Sequence, residues 1–162
     1  MADTKILVAY FSRTGVTRRA AEALAKVLQA DVEPIVDRSS RSGIAGYLRC
    51  LIEAVRQKGA PIEPARRDVA SYDLVVVATP VWGASVSSPV RSYLANNRAR
   101  LPDIAFLCTM GGRGDRRAFE QMGRIAGKAP RAVCALTARQ VASDCERLVA
   151  GFAGKLEASQ SA

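Results

Sequence analysis

The chain of 162 residues is 49% apolar and 24% charged, an ordinary globular composition that excludes a disordered, collagenous or low-complexity protein and suffices for one domain, residues 1–162, with a sizeable core. Its 24 Lys and Arg, 19 of them Arg, outnumber 15 Asp and Glu to give a net charge of +9, which points to an anionic ligand or partner (nucleic acid, an anionic membrane surface, a phosphorylated cofactor or an acidic protein) without bearing on the fold. The absence of histidine excludes every Ser-His-Asp or Cys-His arrangement and every imidazole metal ligand.

In chain order, the start MADTK lacks the basic run and cleavage site of a signal peptide, and no apolar stretch reaches the ~18 residues of a membrane span. Ile6 to Phe11 reads as a first strand, followed by a helix on the spacing Ala20, Leu24, Leu28. Val32 to Val36 is a second strand, and Asp37 to Gly43 a polar turn. Ile44, Tyr47, Leu48, Leu51, Ile52 and Val55 then give the 3-and-4 spacing of an amphipathic helix, whose wide apolar stripe is expected to pack on a sheet, with a protein interface as the alternative. After a Pro-containing loop, Gly59 to Arg67, come a strand at Leu74 to Ala78, a helix marked by Val90, Tyr93 and Leu94, and a strand at Ile104 to Cys108. A helix on Phe119, Met122 and Ile125, a strand at Ala132 to Leu136 and a last helix on Cys145, Leu148, Val149, Phe152 and Leu156 complete the chain, with Ser159 to Ala162 expected to fray. The continuous apolar runs at Leu74 and Ile104 are those of strands covered on both faces. Five strands alternating with five helices predict an α/β fold, a three-layer doubly wound sandwich whose five-stranded parallel sheet has the order 2-1-3-4-5. The four cysteines, Cys50, Cys108, Cys134 and Cys145, form no CxxC pair and lie in apolar segments, so buried free thiols and a cytoplasmic location are expected.

Ligands of such folds bind beyond the carboxyl ends of the strands. The first strand runs into Ser12-Arg13-Thr14-Gly15-Val16-Thr17, where hydroxyls and a helix N-terminus suit a phosphate, or simply cap the helix. The third runs into Thr79-Pro80-Val81-Trp82-Gly83, which sets the lone tryptophan in a loop, either as a stacking partner for a planar ligand or as core. The fourth runs into Thr109-Met110-Gly111-Gly112-Arg113-Gly114, where glycines allow backbone to approach a ligand or merely make a flexible turn. In the expected order the first and third strands flank the point where the winding reverses, so one site has access to all three loops. No GxGxxG, no P-loop and no acidic pair at the end of the first strand compete with this reading.

Three stretches, YFSRTGVT at 10–17, ATPVWGASVSSPVRSYL at 78–94 and CTMGGRGD at 108–115, give the sequence a likeness over nearly its whole length. It resembles the flavodoxin family in its short-chain form. The resemblance implies FMN as cofactor. Ser12, Thr14, Gly15 and Thr17 match phosphate-binding positions, Arg13 and Val16 contribute backbone, Thr79 to Gly83 lines one side of the isoalloxazine with Trp82 stacking, and Thr109 to Gly114 lies along the other. The family's electron carriers are typically acidic with an aromatic on each flavin face, whereas this chain is basic and its third loop has no aromatic.

The function expected is that of an FMN-binding redox protein shuttling electrons between a reductase and an acceptor, with an acidic redox partner protein. The alternatives are an FMN-dependent NAD(P)H reductase of small quinone-like acceptors, and a flavin-free module that binds through its basic surface. Nucleic acid is not expected, because the arginines are dispersed and no stacking aromatics interleave them.

Overall fold

The computed structural model describes residues 3–39, 43–56 and 58–161. Their elements are β1 (Ile6–Tyr10), α1 (Val16–Leu28), β2 (Asp31–Pro34), α2 (Gly43–Arg56), β3 (Leu74–Trp82), β4 (Ser85–Val86), α3 (Ser88–Asn97), β5 (Asp103–Met110), α4 (Asp115–Ala126), β6 (Val133–Thr137) and α5 (Ala138–Ala158). The sheet runs β2-β1-β3-β5-β6, with β4 pairing off this path to β3. Counted over the five runs visible in the sequence, that is the expected order 2-1-3-4-5, and all four neighbouring pairs are parallel. The side chains of Cys50 and Val55, and part of the turn expected over 37–43, fall outside the described residues.

Alternation along the strands distributes the core between two layers. Val8, Tyr10, Leu74, Val76, Ala78, Ala105 and Leu107 pack on one face, against Ala20, Ala21, Leu24 and Ala25 of α1 and Val141, Val149, Phe152 and Leu156 of α5. Leu7, Ala9, Phe11, Val75, Val77, Ile104 and Phe106 pack on the other, against Val90, Tyr93 and Leu94 of α3 and Met122 and Ala126 of α4. Every residue of β1, and of β3 up to Ala78, is thus claimed by one helical layer or the other, which is why such runs read as continuously apolar.

Two expectations fail. Strand β3 does not stop at Ala78 but continues to Trp82, because Val81 and Trp82 pair antiparallel with Val86 and Ser85 of β4. Trp82 therefore lies at the end of a strand, not in a loop. Pro80 is tolerated there because β1 has already ended at the register of Ala78, so β3 has lost that neighbour where the residue without an N–H occurs. The second failure is α2. Its stripe does not pack on the sheet: Ile44 is 82% exposed, Leu48 52%, Ile52 50% and Tyr47 45%. Gly46, by contrast, is buried.

Candidate functional site

The three loops expected to share a ligand lie at the carboxyl edge of β1, β3 and β5, and contacts tie each to the other two. In the first, Ser12 Oγ accepts a hydrogen bond from Gly15 N at 3.0 Å. Gly15 is the N-cap of α1 in left-handed conformation (φ 96°), without a side-chain cap bond and with no acidic residue in the following turn. The first N–H groups of α1 are thus neither capped by a side chain nor faced by a carboxylate, which suits an anion. Thr14 and Gly15 are exposed, Ser12, Arg13 and Val16 half-buried. Thr17 is buried, and its hydroxyl is spent on that of Thr109 at 2.7 Å, which joins the first loop to the third. Arg13 turns away from the loop: its guanidinium donates to Gly43 O at 3.3 Å and lies 5.4 Å over the Tyr47 ring.

Trp82 meets Phe11 edge to face, ring centroids 6.0 Å apart, which joins the second loop to the first and leaves the indole only half-buried. Thr79 and Pro80 are buried. The Thr79 hydroxyl donates to Pro80 O at 2.8 Å and accepts from Ser87 N at 3.1 Å, so it supports the hairpin and is not directed at a ligand. Val81 is half-buried and Gly83 exposed. Gly83 and Ala84 connect β3 to β4 with positive φ at both (55° and 57°), the geometry of a type I′ turn. Of the third loop, Met110 is half-buried, while Gly111, Gly112 and Arg113 are exposed. Gly114 (φ 104°) joins it to the second: a Cβ there would stand 2.8 Å from Ala84 Cα and 3.1 Å from Val81 Cγ1.

Sequence reading missed the residues that support the hairpin. Gln121, buried in α4, accepts through Oε1 from Ser85 Oγ (3.0 Å), Val86 N (3.1 Å) and Arg91 Nη2 (3.1 Å), so one side chain fixes the return strand against α3 and α4. A glutamine on the inward stripe of an amphipathic helix was its only signal. A cleft of about 510 Å³ opens beside the loops, lined by Phe11, Ser12, Thr14, Ile35, Val36 and Ser39 among others. It lies on the β2 side of the first loop, not between Trp82 and the glycines.

No cluster of carboxylates or thiols suited to a metal occurs among the described residues. Burial pushes the Cys108 thiol up to about 12 and, with less burial, Cys134 up to about 11, so neither supplies a thiolate near neutral pH. The site thus offers helix N-terminal amides suited to an anion, an aromatic ring and open backbone, and the Asp37 carboxylate lines the cleft beside it.

Comparison with known proteins agrees with this chemistry. The flavodoxin family model matches residues 5–134, and the chain belongs to that family. No functionally curated protein matches the chain. Among solved structures, a Lactobacillus acidophilus flavoprotein in complex with FMN superposes at TM-score 0.73 with 17% identity, over 82% of this chain and 93% of that one. A Streptococcus pneumoniae flavodoxin gives 0.60 and 16%, over 96% and 99%. A WrbA-like flavodoxin from Agrobacterium tumefaciens gives 0.62 and 13%, over 98% of both chains. Likeness at these identities is likeness of fold.

The residues present fit FMN. An uncapped helix N-terminus beside Ser12 and Thr14 suits its phosphate. Gly111 and Gly112, where an added Cβ would meet nothing within 4 Å, are not glycine for packing inside the protein and leave their backbone open to a flat ring.

Proposed function

We propose that the protein is an electron carrier that accepts electrons from a reductase and delivers them to an acceptor, with Ser12 to Thr17 holding the FMN phosphate and residues 79–83 and 109–114 holding the flavin. Bound FMN supplies one- and two-electron redox chemistry. The protein's part is to bind, orient and tune. The amides at the start of α1 would hold the phosphate, Trp82 would stack on the flavin, and the exposed backbone at Gly111 and Gly112 would line its other side. The observation that carries the reading is the pairwise connection of the three loops through Thr17–Thr109, Phe11–Trp82 and Gly114–Ala84. Loops tied in this way form a preorganised cofactor cradle, and nothing in it acts as a catalytic acid or base.

The experiment is a stepwise anaerobic reduction of the FMN-loaded protein followed by visible absorption. Retained flavin with an accumulating one-electron form supports a carrier. Rapid direct oxidation of NAD(P)H by the purified holoprotein would replace this reading with a reductase of small quinone-like acceptors, which the cleft beside the first loop favours by its size and its apolar Phe11, Ile35 and Val36. We further propose an acidic protein as the redox partner, on the grounds of the +9 charge, and a cytoplasmic location. No helix among the described residues is long and apolar enough to cross a membrane.

A further inference from the structure

Of the seven large apolar side chains exposed among the described residues, four lie on helix α2. At 3.6 residues per turn, Ile44, Tyr47, Leu48, Leu51 and Ile52 form a single stripe along its 14 residues, and Ile44, Tyr47, Leu48 and Ile52 are 45 to 82% exposed. Arginines border it on both sides. Arg49 and Arg56 follow the Ile52 border, and Arg13 lies over Tyr47 at the other. The helix begins at Gly43, a residue that also lines the cleft beside the first cofactor loop. An apolar surface of this kind on a chain of ordinary composition marks an interaction site.

Three occupants are conceivable, and the charges and shape separate them. A second copy fits badly. Antiparallel pairing of two α2 helices about a twofold axis sets each border against its own counterpart, so Arg49 and Arg56 would face the same arginines of the other copy, between chains of +9 each. A lipid leaflet satisfies the arginines but not the shape. The stripe ends at a concave cleft lined by Ser12, Thr14, Asp37 and Ser39 over an apolar floor of Phe11, Ile35 and Val36, which a flat apolar surface leaves unfilled and a protruding side chain fills. An acidic protein satisfies both.

We propose that the outer face of α2, together with the adjoining cleft, is the docking surface for an acidic redox protein, which lays an amphipathic segment on Ile44, Leu48 and Ile52, sets carboxylates against Arg49 and Arg56, and inserts a side chain over Phe11 and Val36. The inference rests on the carrier reading and gives it a location. One helix face and one cleft make a small interface, suited to the brief encounters of electron transfer. Charges at its border act chiefly on the rate of encounter.

The test uses the full chain, with Ile44 replaced by a photoreactive benzophenone amino acid, irradiated in the cells that make the protein, and the adducts sequenced by mass spectrometry. The expected product is an adduct with an acidic protein, at an apolar residue flanked by Asp or Glu. That protein is then purified. Its affinity for the FMN-loaded chain and the second-order rate of electron exchange are measured for wild type, Ile52→Ser and Arg49→Glu. A fall of about tenfold or more in either variant, with an unchanged flavin spectrum and a rate that drops steeply with salt, supports the surface. Adducts only with a second copy or with lipid, or none, overturn it, as does a captured protein whose binding and rate ignore both substitutions. Weakened binding in the variants without any electron exchange leaves the surface standing and removes the carrier reading, whereas exchange at unaltered rates does the reverse.

Discussion

Glycine has different work at different positions of this site, and substitutions separate the roles. At Gly114 the backbone is left-handed, and a Cβ would stand 2.8 Å from the Cα of Ala84, a backbone atom that cannot turn aside. Gly114→Ala should therefore cost about 2 kcal/mol or more of stability and weaken FMN binding with it, because the hairpin carrying Trp82 must shift. Urea unfolding and a flavin titration of the same variant read both effects. Gly111 has ordinary φ and open space around it, so Gly111→Ala should change stability by less than about 0.5 kcal/mol. If its emptiness serves the flavin, affinity for FMN falls nonetheless; equal affinity would mean the loop stands clear of the ring. Ala84 is the converse case, an L-residue held at φ 57°. Ala84→Gly should raise stability by up to about 1 kcal/mol, the relief of left-handed strain less the added freedom of the unfolded chain. Trp82 touches Phe11 by an edge only and is half-buried, so Trp82→Ala should cost roughly 1 to 3 kcal/mol of FMN binding by isothermal titration.

At the level of elements, a hydroxyl pair joins Thr17 at the start of α1 to Thr109 at the end of β5, and with them the phosphate loop to the glycine loop. Both groups are buried, so Thr17→Val leaves the Thr109 hydroxyl without a partner and should cost about 1 to 3 kcal/mol in urea unfolding. The double variant with Thr109→Val should lose less than the sum of the two single losses, and strict additivity would show that the two hydroxyls do not support each other. The helices and strands that bury a face were legible in the sequence because burial imposes a period: the order 2-1-3-4-5 and all three loops follow from runs such as Leu74 to Ala78 and the stripe on Ala20 and Leu24. Period alone does not say which way a stripe faces. In α2 the apolar residues have clean helical spacing, yet Ile44, Tyr47, Leu48 and Ile52 are exposed. The hairpin was hidden for a different reason. Strand β4 is two residues long, too short for any alternation, and its turn is Gly-Ala where type I′ geometry favours Asn-Gly. Support from Gln121 crosses 35 residues of sequence and leaves no local trace.

Over the whole molecule, charge and burial set the response to solution conditions. Burial raises the Cys108 and Cys134 thiols to about 12 and about 11, above the ~8.5 of a thiol in the unfolded chain. In that window the unfolded state binds fewer protons than the folded one, so stability is complete below about pH 8.5 and declines as pH rises toward the folded values, by at most about 1.4 kcal/mol per pH unit for each group. Tyr10, Tyr72 and Tyr93, each raised chiefly by burial, add the same sign at higher pH. Urea midpoints should thus be level from pH 6 to 8 and fall beyond 9. The +9 charge acts on the cofactor through Coulombic attraction. Fully reduced FMN is an anion, and the exposed Arg113, Arg116 and Arg117 lie in the third loop and the first turn of the helix that follows it. One unit charge at ~10 Å, with an effective dielectric of ~20 to 80, is worth roughly 0.4 to 1.7 kcal/mol, or tens of millivolts for one electron. The last one-electron reduction should therefore be less negative than in acidic members of the family, and Arg113→Gln should make it more negative by tens of millivolts, with the difference shrinking as salt screens the exposed guanidinium. A potentiometric titration at two ionic strengths measures both. Equal potentials for wild type and variant at low salt would place Arg113 outside the field of the flavin and leave the basic surface to the partner alone.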